Sequence, residues 1–380
     1  MANTLTNLVP DAYAALDVVS RELVGFIPSV LRDASADRVA IGQTLRSPYT
    51  AANSAGGDIT PAMAFPSAAY QTISNKSLTI TKQRYMPFSW TGEEEYALDQ
   101  GPGSLSIRQD QIAQAMRALV NEIETDIAVA AKNGASRAYG TAGTTPFGST
   151  PKLADAANLK KILDDNGAPA SGRSLIIDTA AGVALRSLTQ LTNVNEAGTS
   201  MTLRDGGLGV IAGLTIKESA QVTSYTSGTG SGYLINNGGG YAVGDTALTV
   251  DTGTGTILAG DVITIGSHKY VVASALASNV VTIAAPGLRA AVADNASVTV
   301  NAASTRNVGF SSNAILLATR LPMTPKGGDL AIGRETITDS RSGLSFEIVA
   351  YPGIDMVTYH VRACWGVLVV KPEHCAVLLG

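Results

Sequence analysis

The chain has 380 residues, a formal net charge of −4 and two cysteines. This length allows about two or three domains with a sizeable core, and the mild acidity argues against the strongly basic face of a protein that grips nucleic acid. Two cysteines cannot build a disulfide framework. The first residues lack the basic segment and apolar core of a secretion signal, and no run approaches the roughly twenty apolar residues that cross a bilayer. We therefore expect a soluble protein with no membrane partner.

Residues 10–24 predict a helix near the start of the chain. Pro10 suits the first helical position, and Leu16, Val19 and Leu23 recur at helical spacing. A single helix with one narrow apolar face gains most of its stability from packing against other elements. We therefore expect this segment to act as an arm that docks on something else.

Residues 46–90 predict a long extended excursion. Its first part, residues 46–69, is polar and rich in turn-forming glycine and proline. Within residues 75–90, Leu78 and Ile80 alternate with threonines, which is the period of a strand with one wet face. An excursion of this length without its own core is unusual in a compact domain. It is explained if the core that it needs belongs to another molecule.

Three consecutive carboxylates, Glu93, Glu94 and Glu95, follow this strand. They have a catalytic interpretation, as an acid/base or metal-binding cluster, and a structural interpretation, as the first turn of a helix. Thr91 followed three residues later by Glu94 forms a capping box, and acidic side chains are favoured near a helix N-terminus. We expect the structural interpretation to hold.

Residues 106–134 give the clearest helix in the sequence. Ser106 with Gln109 predicts a capping box, and Asn133-Gly134 supplies a C-terminal stop. Apolar residues recur at spacings of three and four along one face of this helix. They are Ile112, Met116, Leu119, Ile123, Ile127 and Ala130. At 1.5 Å per residue the helix is about 40 Å long, so we expect other elements to lie against it.

Residues 151–222 alternate between helix and strand. One predicted helix stops before Gly167, and another is capped by Asp178 or Thr179. A pair of short strands bends around Gly213.

Residues 223–305 differ in composition, because they carry very few charged side chains. Short strands separated by glycine, asparagine or aspartate turns predict a small barrel or sandwich. The glycine-rich runs at 228–232, 238–240 and 252–256 are interpreted as turns, since no helix is predicted to follow any of them and a phosphate loop needs one. Mixed helix and strand segments resume afterwards, so this stretch is interpreted as an insertion.

The C-terminal stretch contains Cys364, Cys375 and His374, preceded by His360. A metal site or a Cys–His nucleophile would use such residues. However, alternating apolar residues from 356 to 367 predict a long strand, on which His360 and Cys364 lie about 13 Å apart, too far to share a zinc ion. His374 and Cys375 would face opposite sides of a strand. We therefore predict packing roles here, with no catalytic, metal-binding or cofactor-binding residues.

Several of these segments together resemble the coat proteins of tailed double-stranded DNA bacteriophages with the Hong Kong 97-type fold, in the branch that carries an insertion domain. The segments are QTISNKSLTITKQRYMPFSWTGEEEYAL, IAGLTIKESAQV and the C-terminal VRACWGVLVVKPEHCAVLLG. The resemblance covers most of the chain in order. It implies an α+β fold and a structural, non-enzymatic protein.

The resemblance also implies how the chain is divided. The parts are an N-terminal arm (1–45), an extended loop (46–98), a peripheral domain with a spine helix (99–150), an axial domain (151–222), a β insertion domain (223–305), the return of the axial domain (306–340), and peripheral strands with the C-terminus (341–380). In an assembled shell of this family the arm and the loop lie on neighbouring subunits, which would explain why they lack a core.

The partners that the resemblance implies are those of a virion. They are further copies of the chain, as hexamers and pentamers of a shell, a portal protein, and packaged double-stranded DNA held without sequence-specific binding. Because the arm begins almost at Met1, a separate scaffolding protein is expected. A decoration protein and covalent cross-links through Lys76 or Lys82 are left open. The shell would be assembled in the cytoplasm of the bacterial host, and no cofactor is implied.

Two functions follow from different interpretations of the same residues. The first is a major capsid protein that self-assembles into an icosahedral shell around DNA. The alternative is a mixed α/β hydrolase with a small β domain for carbohydrate or surface binding, in which His360 and the three glutamates are catalytic. In the first interpretation, charged residues in and beside the extended loop lie at the subunit interface. These residues are Lys76, Lys82, Arg84, Glu93, Glu94 and Glu95.

Overall fold

The structure is a computed structural model. It describes residues 24–50, 73–99, 104–148, 152–193, 195, 201–338 and 344–380. Nearly all of the helix predicted at residues 10–24 therefore lies outside the described residues, as does most of the turn-rich stretch at 46–69. None of the helices in the described ranges is long and apolar enough to cross a bilayer.

The described residues form helices and many strands in chain order. The helices are α1 (Gly92–Asp99), α2 (Ser104–Asn133), α3 (Ala154–Asp165), α4 (Thr179–Arg186), α5 (Thr189–Thr192) and α6 (Met201–Asp205), with 3-10 turns at Ile27–Ser29, Ser312–Ala314 and Pro372–His374. The first strands are β1 (Leu31–Val39), β2 (Thr44–Thr50), β3 (Ile73–Thr79), β4 (Lys82–Thr91), β5 (Arg137–Gly140), β6 (Arg173–Ile177), β7 (Val210–Ile211) and β8 (Leu214–Glu218). The next are β9 (Ser224–Tyr225), β10 (Tyr233–Ile235), β11 (Ala247–Asp251), β12 (Val262–Ile265), β13 (His268–Ala277), β14 (Val280–Ile283) and β15 (Ser297–Val300). The last are β16 (Ser304–Ser311), β17 (Ile315–Pro322), β18 (Gly333–Thr338), β19 (Ser345–Pro352), β20 (Met356–Val369) and β21 (Cys375–Leu379).

Helix α2 is the longest element of the fold, with 30 residues. Its predicted apolar stripe is confirmed, because the five large apolar residues of that stripe are fully buried. These residues are Ile112, Met116, Leu119, Ile123 and Ile127. The predicted cap at Ser106 is wrong, since the helix begins two residues earlier at Ser104 and Ser106 lies inside its first turn.

The stripe of α2 packs on a sheet whose strand order is β1-β17-β20-β19-β18, with β4 on the free side of β20. Strand β20 pairs with β4 over ten residues, from Met356↔Thr91 to Trp365↔Lys82. Val361 and Trp365 on one face of β20 join the core under α2, whereas Cys364 on the other face joins a separate small cluster. The long C-terminal strand predicted from alternation is therefore confirmed.

A second sheet runs β5-β21-β16-β6-β8-β7 through the middle of the protein, and α3 and α4 pack on it. Asp178 caps α4 by accepting a hydrogen bond from the Ala181 backbone N–H at 3.3 Å. The strand pair predicted around Gly213 is present as β7 and β8, and Gly213 has the positive φ of +78° that favours glycine. The helix predicted after Asp178 is present as α4, which stops at Arg186, and a separate turn, α5, follows.

The strands after residue 230 close into a barrel in the order β12-β15-β10-β11-β14-β13, with β13 also pairing with β12. Its interior has its own apolar cluster, including Val250, Ile263 and Val281. The small β barrel predicted from composition is confirmed. Strand β13 also pairs with β5 through Lys269↔Ala138 and Tyr270↔Arg137, so the barrel is hydrogen-bonded to the middle sheet.

The predicted strand at residues 75–90 is two strands, β3 and β4, separated at Ile80 and Thr81. The alternation within it is confirmed, because Leu78 and Ile80 are buried and the threonines beside them are exposed. These two apolar side chains pack with Val39, Ala318 and Cys364 of the same chain. The expectation that residues 46–90 lack a core in their own chain is therefore wrong for the part around Leu78 and Ile80.

The segment at residues 24–39 is likewise anchored on its own chain, which corrects the expectation that the arm lacks a core. Phe26 and Ile27 are buried in the core beside α2. The buried carboxylate of Glu124 on α2 accepts hydrogen bonds from the backbone N–H groups of Gly25, Phe26 and Ile27 at 2.7–2.9 Å. Burial raises the pKa of Glu124, against the lowering effect of these donors. Strand β1 then pairs in parallel with β17.

A second buried carboxylate, Glu347 on β19, holds together distant parts of the same sheet. Arg362 Nε donates to it at 2.6 Å, Arg334 Nη1 lies 3.4 Å from it, and Arg38 of β1 also pairs with it. The Glu347 side chain has no solvent exposure. Burial alone would raise the pKa of Glu347, but the hydrogen bonds from Arg38 and Arg362 outweigh it and lower the pKa.

Candidate subunit interface

The hairpin of β2 and β3 is a small separate sheet in the described part of the chain. The strands pair from Thr44↔Thr79 to Thr50↔Ile73 and, among the described residues, form a sheet with each other alone. Leu45 and Leu78 pack at its base. At about 3.3 Å per residue, the five steps from Leu45 to Thr50 extend about 17 Å from that base. An isolated two-stranded hairpin is marginal in water, so this one needs a surface to lie on.

The basic residues predicted at the interface make contacts inside the chain. Lys82 Nζ lies 2.8 Å from Asp126 Oδ1 and 3.3 Å from Glu122 Oε1 on α2, and Arg84 Nε lies 2.8 Å from Glu122 Oε1. Burial would lower the pKa of Lys82, but these two carboxylates outweigh it and raise the pKa. The pairs hold β4 against α2. Sequence reasoning missed them, because the partners are about 40 residues apart.

Lys76 lies on β3, the strand of the hairpin that returns to its base. Its Nζ donates to the backbone carbonyl oxygen of Val370 at 2.9 Å. Val370 follows directly after β20, so this bond ties the hairpin to the edge of the sheet. The structure therefore places Lys76 apart from Lys82 and Arg84, which lie against α2.

The predicted capping box is confirmed at the start of α1. The backbone N–H of Thr91 donates to Glu94 Oε2 at 2.9 Å, and the backbone N–H of Glu94 donates to Thr91 Oγ1 at 3.3 Å. These bonds lower the pKa of Glu94. Glu93 is exposed and Glu95 is half-buried. Both line a cleft of about 630 Å³, whose opposite wall includes Ile354 in the turn between β19 and β20.

Exposed apolar side chains lie at the same end of the sheet. Ile354 is 93 % exposed and Leu330 is 82 % exposed, and Ile332 is also exposed. The pairing Gly333↔Ala350 places residues 330–332 beside the end of β19, which leads into the turn that contains Ile354. We call Leu330, Ile332 and Ile354 the tip patch. Exposed apolar residues grouped in this way are typical of a surface that binds another protein.

The residues of the hydrolase interpretation are not brought together. His360 stacks on Tyr85 at 4.7 Å between ring centroids. It lies four residues along β20 from Met356, which pairs with Thr91, so about 13 Å of strand separates it from the start of α1. Glu94 is used as a cap. The described residues therefore give no support to a catalytic group made of His360 and the three glutamates.

Both cysteines are buried. Burial raises the pKa of Cys364 to about 11 and that of Cys375 still further. A thiol with a raised pKa is a poor nucleophile and metal ligand, because the thiolate is the reactive form. No group of three or more His, Cys, Asp or Glu side chains within the described ranges is arranged to hold a metal ion.

No family model matches the chain, and no curated protein matches it. Among solved structures, it is similar to a capsid chain of the cyanophage P-SCSP1u, at 11% identity and a TM-score of 0.49, over 94% of this chain and 88% of that one. It is similar to a chain of the mature capsid of bacteriophage PhiM1, at 12% identity and a TM-score of 0.48, over 93% and 85% of the two chains. It is also similar to a virus-like particle from Pyrococcus furiosus, at 11% identity and a TM-score of 0.43, over 96% of each chain.

We expect Glu93→Lys to leave the chain folded and to lower the yield of assembled particles several-fold. Glu93 is exposed and makes no hydrogen bond or ion pair within the described part of the chain, so its reversal costs the subunit only the favourable interaction of an acid with the N-terminus of α1. If it faces basic groups of a neighbouring copy, the reversal replaces attraction by repulsion, and added salt should ease the defect through screening. Light scattering of assembly reactions at low and high salt measures the effect.

The matched control is Asp205→Lys, which reverses an exposed acid on α6. Glu94 is unsuitable for this purpose, because its replacement also removes one of the two hydrogen bonds of the capping box of α1. Assembly of the Glu93 variant at the wild-type rate and yield would remove this residue from the interface.

Proposed function

We propose that the chain is the major capsid protein of a tailed double-stranded DNA bacteriophage, which self-assembles into an icosahedral shell. The single observation that carries the proposal is the β2–β3 hairpin, which extends from a small anchored base and pairs with no further strand of the described chain. Within the described chain the hairpin is held at its base by Leu45 and Leu78 and by the bond from Lys76 to Val370, and most of its other described residues are exposed. In a shell, the β2–β3 hairpin of each subunit lies on the next subunit, which supplies the packing surface that the hairpin lacks.

The tip patch supports the same proposal. Ile354 and Leu330 are large aliphatic side chains left in water at one end of a well-packed sheet. Burying apolar surface contributes roughly 25 cal/mol per Å². A second copy of the chain offers both this patch and the hairpin, so one repeated contact covers surfaces that a monomer leaves exposed. Contacts between unlike surfaces of identical subunits build closed assemblies when the rotations close.

The remaining partners follow from this role. We propose hexamers and pentamers of the chain, a separate scaffolding protein, a portal protein and packaged DNA, with assembly in the cytoplasm of the bacterial host. A net charge of −4 is compatible with DNA that is confined by the shell and held without sequence-specific binding. A decoration protein stays open. The role is structural and needs neither a catalytic residue nor a cofactor.

The division of the chain stays part of the proposal. We propose roles in assembly for three of its parts, which are the arm (1–45), the extended loop (46–98) and the insertion domain (223–305). The residues proposed to lie at or beside the interface are Lys76, Lys82, Arg84 and the glutamates of α1. The three basic residues contribute by holding the loop in place through contacts within their own chain.

Particle size tests the function. The full chain, expressed with and without the phage's scaffolding protein, is analysed by sizing chromatography and electron microscopy, together with Ile354→Asp. The unmodified chain is expected to give uniform shells in the megadalton range, and Ile354→Asp is expected to give folded, unassembled subunits. Val183→Asp is the control, because Val183 is an exposed valine on α4, outside the tip patch. A small oligomer under every condition would refute the proposal.

A further inference from the structure

We propose that the tip patch of one copy of the chain docks in an apolar groove of a second copy. The groove lies between β4 and the first half of α2 and has a volume of about 450 Å³. Its apolar walls are formed by Met86, Pro87, Phe88, Ala115 and Ala118. We call it the β4–α2 groove. The proposal rests on the proposed function, because it names the surface of the neighbouring subunit that covers the tip patch.

The β4–α2 groove is left open by its own chain. Met86 and Phe88 pack with one side against the core under α2 and are only partly buried. Ala115 and Ala118 are likewise half-buried on α2. Among the described residues β4 pairs with β20 alone, so no further strand of this part of the chain covers its outer edge. A concave surface with apolar walls is typical of a binding site.

The tip patch of the same copy lies too far away to fill this groove. Leu330 and Ile332 lead into β18, and β18, β19, β20 and β4 are successive strands of the sheet. With about 4.8 Å between neighbouring strands, β18 lies about 14 Å from β4. Ile354 precedes Met356, which pairs with the last residue of β4, whereas the groove borders the middle of that strand. The groove and the tip patch are therefore two separate surfaces.

Two separate surfaces that fit each other make a head-to-tail contact. When the tip patch of one copy occupies the groove of a second, the second copy still presents its own tip patch to a third. Such a contact closes into a ring when the rotation between copies allows it. The arrangement of the two surfaces is therefore suited to a repeated contact within a shell.

The two surfaces match in polarity. The tip patch consists of protruding aliphatic side chains that are left in water, and the groove offers apolar walls to receive them. Gln111 and Gln114 of α2 lie at the same groove and supply polar groups beside those walls. An apolar centre with a polar rim is the usual construction of an interface between proteins.

The free charges beside the two surfaces are opposite. Asp110 of α2 lines the groove, is exposed and makes no hydrogen bond or ion pair with a described residue. Lys326, in the loop that leads to the tip patch, is exposed and equally without a partner in the described ranges. Asp329 of that loop is already paired with Arg334. Opposite charges at the rim of an interface speed association and fix its orientation.

Cross-linking of assembled particles tests the contact. The full chain carrying Gln114→Cys and Leu330→Cys is assembled, treated with a short bismaleimide and separated on a denaturing gel. Both positions are exposed, whereas the two native cysteines are buried. We expect covalent links between subunits. The matched control combines Leu330→Cys with Val129→Cys, which lies exposed on the same helix outside the groove and should give few links.

A charge exchange tests the orientation of the contact. Asp110→Lys and Lys326→Asp should each slow assembly by about twofold to fivefold, since each places like charges opposite one another at an exposed rim. The double variant restores an opposite pair, so its rate should return close to that of the unmodified chain. Light scattering of assembly reactions at low salt measures the three rates.

The failure of this contact is distinguishable from the failure of the proposed function. If the unmodified chain forms no particles, the function is refuted and the contact with it. If particles form, but the groove pair links no better than its control and the charge exchange recovers nothing, the contact alone is overturned. Links from Gln114→Cys to the scaffolding protein, and none to a second subunit, would also overturn it and assign the groove to that protein.

Discussion

Ile123→Asp is expected to leave the chain insoluble or unable to assemble. Ile123 is fully buried between α2 and the sheet. Removing a buried isoleucine side chain costs about 2–5 kcal/mol, and a buried, unpaired carboxylate adds a desolvation cost of several kcal/mol more. A domain is stable by only about 5–15 kcal/mol in total. The substitution therefore removes most or all of the stability of the domain built on α2.

Val129→Asp is the matched control for this prediction. It introduces the same charge into the same helix, but Val129 is 40 % exposed, so its new carboxylate stays in contact with water. Soluble yield and the circular dichroism melting curve of the two variants are compared with the unmodified chain. If Ile123→Asp were as soluble and as stable as Val129→Asp, the stripe of α2 could not be a core.

The sequence predicted those elements whose signals are local. The stripe of α2 repeats every three or four residues, and the faces of β20 alternate with period two, so both follow from spacing along the chain. The capping box of Thr91 and Glu94 spans four residues and was predicted correctly. The barrel followed from composition and turn signals, although its closure by the β12–β13 pairing follows only from the structure.

Contacts between distant residues were not predictable from the sequence, and they change the picture of the arm and the loop. Nothing near Glu124 shows that it binds backbone N–H groups almost 100 residues earlier. The pairing of β13 with β5 is equally remote, and it joins the barrel to the middle sheet. The one local sign of such a contact is an acidic residue on the apolar face of a predicted helix or strand. A charge in that position needs a partner, because charged side chains are almost never buried unpaired.

Glu347 is the clearest example of such an acid. It lies on a strand whose neighbours, Phe346 and Ile348, are buried apolar residues. Its carboxylate binds Arg362 from the adjacent strand, Arg334 from β18, and Arg38 from the segment near the N-terminus. The pair with Arg38 joins residues 309 positions apart. One buried charge therefore links β1, β18, β19 and β20 of the same sheet.

Glu347→Gln is expected to destabilise the unassembled chain by about 3–5 kcal/mol, because removing one partner of a buried ion pair leaves the other charges uncompensated. The pKa of Glu347 is lowered in the folded state, so its contribution is complete above the ordinary glutamate pKa of about 4.3 and is lost as pH falls through the lower folded value. Urea unfolding across this range should show a stability loss on acidification that is smaller in the variant. Glu335→Gln, on β18 and without an ion pair among the described residues, is the control and should cost less than about 1 kcal/mol. Equal effects of the two substitutions, or an unchanged pH dependence in Glu347→Gln, would show that the three arginines do not rely on this carboxylate.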